Sequence, residues 1–249
     1  MFAMHDLELR ERALELTAAG VNDGEIGRRL GVARTTVRHW RWAKERDVPP
    51  RKLCWRCWQP TRRVEPAAAD YAELLGLYLG DGHISPMPRS ERLRLSLDAR
   101  YPTIVAESEA LLRRVFPECR VGRVVADGGS TVVLWVYHRH LSCLFPQHGP
   151  GKKHERPIEL EPWQYALVGA APWAFVRGCI RSDGCSFINR TGRYAYLSYE
   201  FRNWSTDILG IFASTCEAVD LHPRQYRDRV RLCRRADVAR LVTHVGVKS

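Results

Sequence analysis

Hydrophobic and polar residues follow two different rhythms along this chain. Over residues 7–19 the apolar positions Leu7, Leu14 and Ala18 share one side of a helix, and Gly20 supplies its stop. Asp23 reads as the N-cap of a short helix through Leu30, and Gly31-Val32-Ala33 as a tight turn. A third helix is expected from Arg34 to about Arg46, with Val37 and Trp40 facing inward. Farther on, Arg92-Leu93-Arg94-Leu95-Ser96-Leu97-Asp98 switches to period-two alternation, the pattern of a half-buried strand. A helix is expected over 104–115 and a β-branched strand over 131–137. The order then recurs: a helix over 173–183, strands over 185–189 and 194–202, a helix over 206–219, a strand over 230–233 and a closing helix from Asp237.

Two segments anchor that recurrence. Leu74-Leu75-Gly76-Leu77-Tyr78-Leu79-Gly80-Asp81-Gly82 and Val176-Arg177-Gly178-Cys179-Ile180-Arg181-Ser182-Asp183-Gly184 are mostly apolar runs with a small residue at the third and seventh positions, closed by an acid and a glycine. Small residues four apart lie on one helical face, so Gly76 and Gly80 on one helix can meet Gly178 and Ser182 on the other, backbone to backbone. Both helices then end together and deliver Asp81 and Asp183 side by side. Adjacent carboxylates repel, and divalent cations between them relieve the repulsion. A lone Asp-Gly after an apolar run is ordinarily a turn; two copies in register argue for more.

The nine positions of each copy resemble the two signature motifs of single-chain LAGLIDADG homing endonucleases. The eighth-position acid is present in both, while the sixth-position acid of the name is replaced by Leu79 and Arg181. The resemblance implies an α+β fold over residues 71–249: two αββαββα repeats, about 71–160 and 161–249, forming a saddle with pseudo-two-fold symmetry that sits in the DNA major groove. It further implies that Asp81 and Asp183 hold divalent metal, Mg²⁺ by the all-oxygen ligation. It implies a lysine near each active site, for which Lys152 or Lys153 in the Gly- and Lys-rich loop 145–158 is available; a plain backbone-contacting basic loop is the alternative. Asp98, with Arg202 as its counterpart, stands where the family often carries a second polar residue, usually glutamine.

Composition sharpens the choice of partner. Hydrophobic residues make up 45% of the 249 positions, which fits a globular protein, and the net charge of +11 suggests a polyanion. The excess is concentrated before residue 64, where 14 Lys and Arg stand against 8 Asp and Glu. That stretch contains an expected DNA-binding domain, 1–47, in which residues 20–42 resemble the helix-turn-helix modules of bacterial regulators and resolvases. Its third helix turns Arg34, Thr35, Thr36, Arg38, His39 and Arg41 outward, donors suited to phosphates and base edges. Arg92, Arg94, Arg190, Arg193, Arg202, Arg229 and Arg231 would line the sheet that faces DNA.

Residues 48–70 read as a basic linker carrying Cys54-Trp55-Arg56-Cys57, half of a tetrahedral zinc site. His138, His140 and Cys143 could complete it if the chain folds them back; two ordinary thiols are the alternative. The eight cysteines otherwise read as reduced thiols. No signal peptide or membrane span is visible, so a cytoplasmic, nucleoid-associated protein is expected, monomeric because the two-fold is satisfied within one chain. Nothing suggests an intein. Two functional readings follow: a freestanding site-specific double-strand DNA endonuclease, or a non-cleaving transcriptional regulator that binds DNA with the same saddle, with an RNA maturase as a more distant third.

Overall fold

The computed structural model describes residues 7–45 and 66–248, and the chain divides into two compact units, Met1–Lys52 and Leu53–Ser249. The first unit holds helices α1 (Leu7–Ala18), α2 (Asp23–Leu30) and α3 (Arg34–Glu45) around a small core of Ala13, Ile26, Val32 and Val37, with Leu16, Leu30 and Trp40 packed against it. Two local readings change. The inner face of α1 runs through Ala13 and Leu16, and Ala18 is exposed. The N-cap of α2 is Asn22, whose side chain accepts from the Glu25 N–H at 3.0 Å. Asp23 is instead buried inside the helix, where its carboxylate accepts from Arg41. Between α2 and α3 the turn is tight enough that a Cβ on Gly27 would stand 2.7 Å from the Val32 carbonyl oxygen.

The second unit repeats one plan twice. Its first repeat runs α4 (Ala68–Asp81), β1 (Gly82–Met87), β2 (Ser90–Asp98), α5 (Pro102–Val115), β3 (Gly122–Ala126) and β4 (Thr131–His138), followed by the short α6 (Leu141–Leu144) and by α7 (Pro162–Ala170). The second runs α8 (Pro172–Arg181), β5 (Gly184–Thr191), β6 (Tyr194–Arg202), α9 (Thr206–Glu217), β7 (Arg224–Gln225), β8 (Arg229–Leu232) and α10 (Arg235–His244). Each repeat forms an antiparallel four-stranded sheet, β1-β2-β4-β3 and β5-β6-β8-β7, so the strand orders match position for position. The registers match as well, with Gly82 opposite Leu95 in one sheet and Gly184 opposite Phe201 in the other. One continuous core joins the repeats, built from α4 and α8 at the centre and the inward faces of β2, β4, β6 and β8. No helix among the described residues is long and apolar enough to cross a membrane.

Glycine decides how closely the central helices approach. A Cβ on Gly76 would stand 2.6 Å from the Phe175 carbonyl oxygen and 2.8 Å from the Cys179 nitrogen, and one on Gly178 would collide with the Glu73 carbonyl and lie 3.1 Å from Gly76 Cα. One turn on, a Cβ on Gly80 would strike the Ser182 side chain. Ser182 turns its hydroxyl back to the Gly178 and Cys179 carbonyls at 3.0 Å each. Polar contacts fix the helices axially: buried Glu73 on α4 accepts from Arg177 at 2.8 Å and from Arg181 at 2.6 Å. The sixth motif position of the second copy is thus a strut between the helices.

Candidate active site at the ends of the paired helices

Helix α4 passes directly into β1 with no loop, so Asp81 is held at the helix terminus by a strand on its far side. Asp183 stands at the corresponding place after α8, and the crossing at Gly80 brings them together: a Cβ on Gly80 would lie 3.2 Å from Asp183 Oδ2. Burial pushes the Asp81 carboxyl up to about 7, and the nearby Asp183 charge pushes in the same direction. Asp183 is raised by burial too, against the pull of Lys153, the Asn203 hydrogen bond and Lys248. The Asn203 amide donates to Asp183 Oδ2 at 3.0 Å.

Each carboxylate faces a cleft. Asp183 opens on a cleft of about 610 Å³ lined by Arg202, Asn203 and Asp228 of its own repeat and, from the other, by Gly82, His83 and Ile84 of β1 and by His148, Lys153 and Arg156. Asp81 opens on a cleft of about 780 Å³ lined by Arg94, Ser96, Asp98 and Thr131 of its own repeat and by Lys248 of the other. Each combines one motif acid with a lysine that caps the other motif helix, and both border strands of the first sheet.

The lysines are the closest correspondence between the repeats. The Lys153 ammonium donates to the carbonyls of Leu79 (3.1 Å), Gly80 (3.0 Å) and Gly82 (2.7 Å), and also to Tyr78. The Lys248 ammonium donates to Arg181 (3.0 Å), Ser182 (2.6 Å) and Gly184 (2.9 Å). These are motif positions six, seven and nine in both copies. A helix C-terminus leaves carbonyls without intrahelical partners and carries partial negative charge, so each ammonium caps one motif helix. Burial lowers Lys153 to about 8 and also lowers Lys248, while the two carboxylates act to raise both. Lys152 is exposed and faces Glu155, so of the two loop lysines Lys153 is the one placed beside the acids.

Lys248 escaped the sequence reading. Five lysines stand among the 39 basic residues, and after residue 70 they are Lys152, Lys153 and Lys248 alone. In a chain that otherwise uses arginine, a lysine marks a place needing a compact point charge rather than a planar fork. That rarity was the available signal, together with the need for a mate to Lys153 in a duplicated chain.

Several expected positions differ. Asp98 is bound by the Arg100 backbone N–H and guanidinium, at 2.9 and 2.7 Å, which holds its carboxyl below the usual range. The register makes Trp204 its counterpart and pairs Arg202 with Ser96, because an apparent equivalence by strand end slips two residues. On the first sheet Arg92 and Arg94 share the face opposite Leu93 and Leu95, and their buried Nε atoms find no hydrogen-bond partner among the described residues. On the second sheet buried Glu200 accepts from Arg202 at 2.7 Å and from Arg231 at 2.6 Å, with Arg229 at 3.8 Å and also held by Asp228. Arg190 and Arg193 are exposed. On α3, Arg34, Thr35, Arg38 and His39 are exposed and Thr36 half-buried, whereas Arg41 is engaged by Asp23. Cys54 and Cys57 lie outside the described residues.

The pair of acids fits a hard divalent ion. Both are hard oxygen donors beside open clefts, the donor type such an ion takes, and no cluster of three or more His, Cys, Asp or Glu side chains suited to a metal occurs among the described residues.

No family model matches the chain, and no curated protein is similar to it. Solved structures are. The chain resembles I-DmoI in complex with DNA and Mn at a TM-score of 0.50 and 14% identity, covering 72% of this chain and 97% of that one. It resembles full-length DUF199/WhiA from Thermatoga maritima at a TM-score of 0.50 and 15% identity, covering 75% of this chain and 58% of that one. These likenesses show the fold: the second unit is a LAGLIDADG saddle.

Proposed function

We propose that this protein is a divalent-metal-dependent endonuclease that binds duplex DNA with the saddle and its helix-turn-helix unit and cuts one strand at each cleft. The observation that carries this reading is the paired acids: two half-buried carboxylates, both raised by burial and Asp81 also by the Asp183 charge, each opening on its own cleft beside a lysine. Similarity to proteins solved with DNA and a divalent metal supports it at the level of fold.

Hydrolysis of a phosphodiester requires an activated water and a stabilised leaving oxygen, and a divalent ion at the acids supplies both. Asp81 and Asp183 hold the ionised oxygens in place, Asn203 fixes the orientation of Asp183, and the paired helices keep the two acids together as strands pass on either side. Lys153 has three N–H groups and four carbonyl acceptors, so in this geometry its charge, not a proton, is what it gives the site. Two acids and two ammoniums nearly cancel. Metal affinity therefore depends on DNA phosphate arriving with the ion.

The spent lysine protons favour a second reading. With Lys153 and Lys248 saturated as helix caps and Asp98 held by Arg100, the clefts also suit a regulator that binds DNA without cutting it. Selection of bound duplexes from a randomised library in Ca²⁺, followed by transfer to Mg²⁺, separates the two. The nuclease releases double-strand breaks at the selected site, and Asp81→Asn/Asp183→Asn binds without breaking it. Specific binding with intact DNA for the wild type overturns the nuclease and leaves the regulator.

A further inference from the structure

We propose that Trp204 is a base-stacking residue, its indole lying against a nucleobase of the DNA strand held in the Asp183 cleft. The inference rests on the reading that duplex DNA occupies that cleft, and it assigns how one cleft grips its strand. Trp204 is 76% exposed, more than any other large hydrophobic side chain among the described residues. Exposed apolar side chains are ordinary on a protein surface, and singly they need no explanation. This one is set apart by where it stands and by how firmly its backbone is held. It lines the Asp183 cleft together with Arg202, Lys153 and Arg156.

The chain is tied down on both sides of it. Before it, Asn203 donates its backbone N–H to the Asp228 carbonyl at 3.2 Å and its side-chain amide to Asp183 Oδ2 at 3.0 Å. After it, buried Ser205 donates its N–H to Asn203 Oδ1 at 2.9 Å and caps α9 by accepting from the Ile208 N–H. A rigid corner thus holds out a large flat ring beside one motif acid, and no hydrogen bond or ring contact engages that ring among the described residues. A nucleotide matches both parts of this surface, its phosphate the three cations and its base the indole. Stacking makes little demand on sequence, since every base has a π-face. The other cleft lacks the device. The register puts Asp98 where the second repeat has Trp204, Asp98 is held by Arg100, and no Phe, Tyr or Trp lines the Asp81 cleft.

The test uses the full-length chain and a duplex selected from a randomised library in Ca²⁺, so that binding is read without cleavage. Photoreactive bases, 5-iodopyrimidine or 8-bromopurine, replace the central positions one at a time, and cross-linked peptides are mapped by mass spectrometry. A cross-link to Trp204 is expected from one strand only. Trp204→Ala should abolish it and weaken binding of the unmodified duplex about 5- to 150-fold, the range for loss of one base–aromatic stack. The slope of log affinity against log salt should stay unchanged, because no charge is removed. Trp204→Phe, which keeps a ring, should recover most of the affinity. Wild-type affinity in Trp204→Ala overturns the proposal while the DNA reading stands. Weaker binding with a flatter salt slope also overturns it, since phosphate contacts have then been lost. If no duplex is selected, the DNA reading and this inference fall together.

Discussion

In the first repeat Lys153 caps the α4 carbonyls at motif positions six, seven and nine; in the second Lys248 caps the same positions of α8. The sheets beside them do not correspond in this way. The first presents Arg92 and Arg94 with buried Nε atoms that have no partner among the described residues, whereas the second places Glu200 among Arg202, Arg229 and Arg231. Burial alone would raise Glu200, but the hydrogen bonds from Arg231 and Arg202 hold its carboxyl below the usual range, so it stays charged and offsets part of the basic surface. The two repeats share their lysine caps and differ in the charged groups on their sheets. If the proposed DNA-binding role holds, an asymmetric target is expected, with the first sheet the more strongly attracted to phosphate.

Removing the shared chemistry should have the largest effect. Asp81→Asn/Asp183→Asn is expected to reduce cleavage of a selected duplex by at least about 10²–10³-fold while leaving its binding intact, measured by single-turnover kinetics and by titration. The shared packing comes next. Gly76→Ala drives a Cβ into the backbone of α8 and should cost about 1–3 kcal/mol or more in denaturant unfolding. Gly210→Ala on α9, where an added Cβ meets nothing within 4 Å, should be neutral or stabilising by up to about 1 kcal/mol.

The acid pair also sets a pH dependence for the metal-free protein. Asp81 is pushed up to about 7 from an ordinary value of 3.8, so between those pH values the folded chain keeps a proton that the unfolded chain has released, and stability falls as pH rises. Asp81→Asn should therefore stabilise the metal-free protein at pH 8, by up to about 4 kcal/mol from a shift of this size, and give no gain at pH 3. Melting curves with chelator at the two pH values check this, and equal gains at both would contradict it. The smallest effect concerns the difference between the sheets. Glu200→Gln releases Arg202 and Arg231 from a charged partner, leaving Arg229 on Asp228, and should steepen the dependence of log affinity on log salt by about 0.9 for each new phosphate contact.

How much of this was legible in the sequence depended on whether the signal was local. The motif helices, their small-residue face and the adjacency of Asp81 and Asp183 follow from a four-residue spacing, which a helix turns directly into geometry. The strand 92–98 announced itself by alternation, but β3 did not, because Val124 and Val125 are both exposed and carry no inside-outside pattern. Asn22 was passed over for Asp23 because either side chain can cap a helix; only the fold, which draws Asp23 to Arg41, separates them. The role of Lys248 depends on a contact 64 to 67 positions away in sequence, and that of Glu200 on pairing between β6 and β8. Neither leaves a trace in periodicity.

The most direct test of the two-cleft account is strand-resolved cleavage of a selected duplex, labelled separately on each strand, by Asp81→Asn and by Asp183→Asn in Mg²⁺. If each carboxylate serves the cleft it faces, each variant should leave one strand intact, and the strand spared should switch between the two variants. Both strands cut at the wild-type rate by either variant would contradict the assignment of one acid to each cleft.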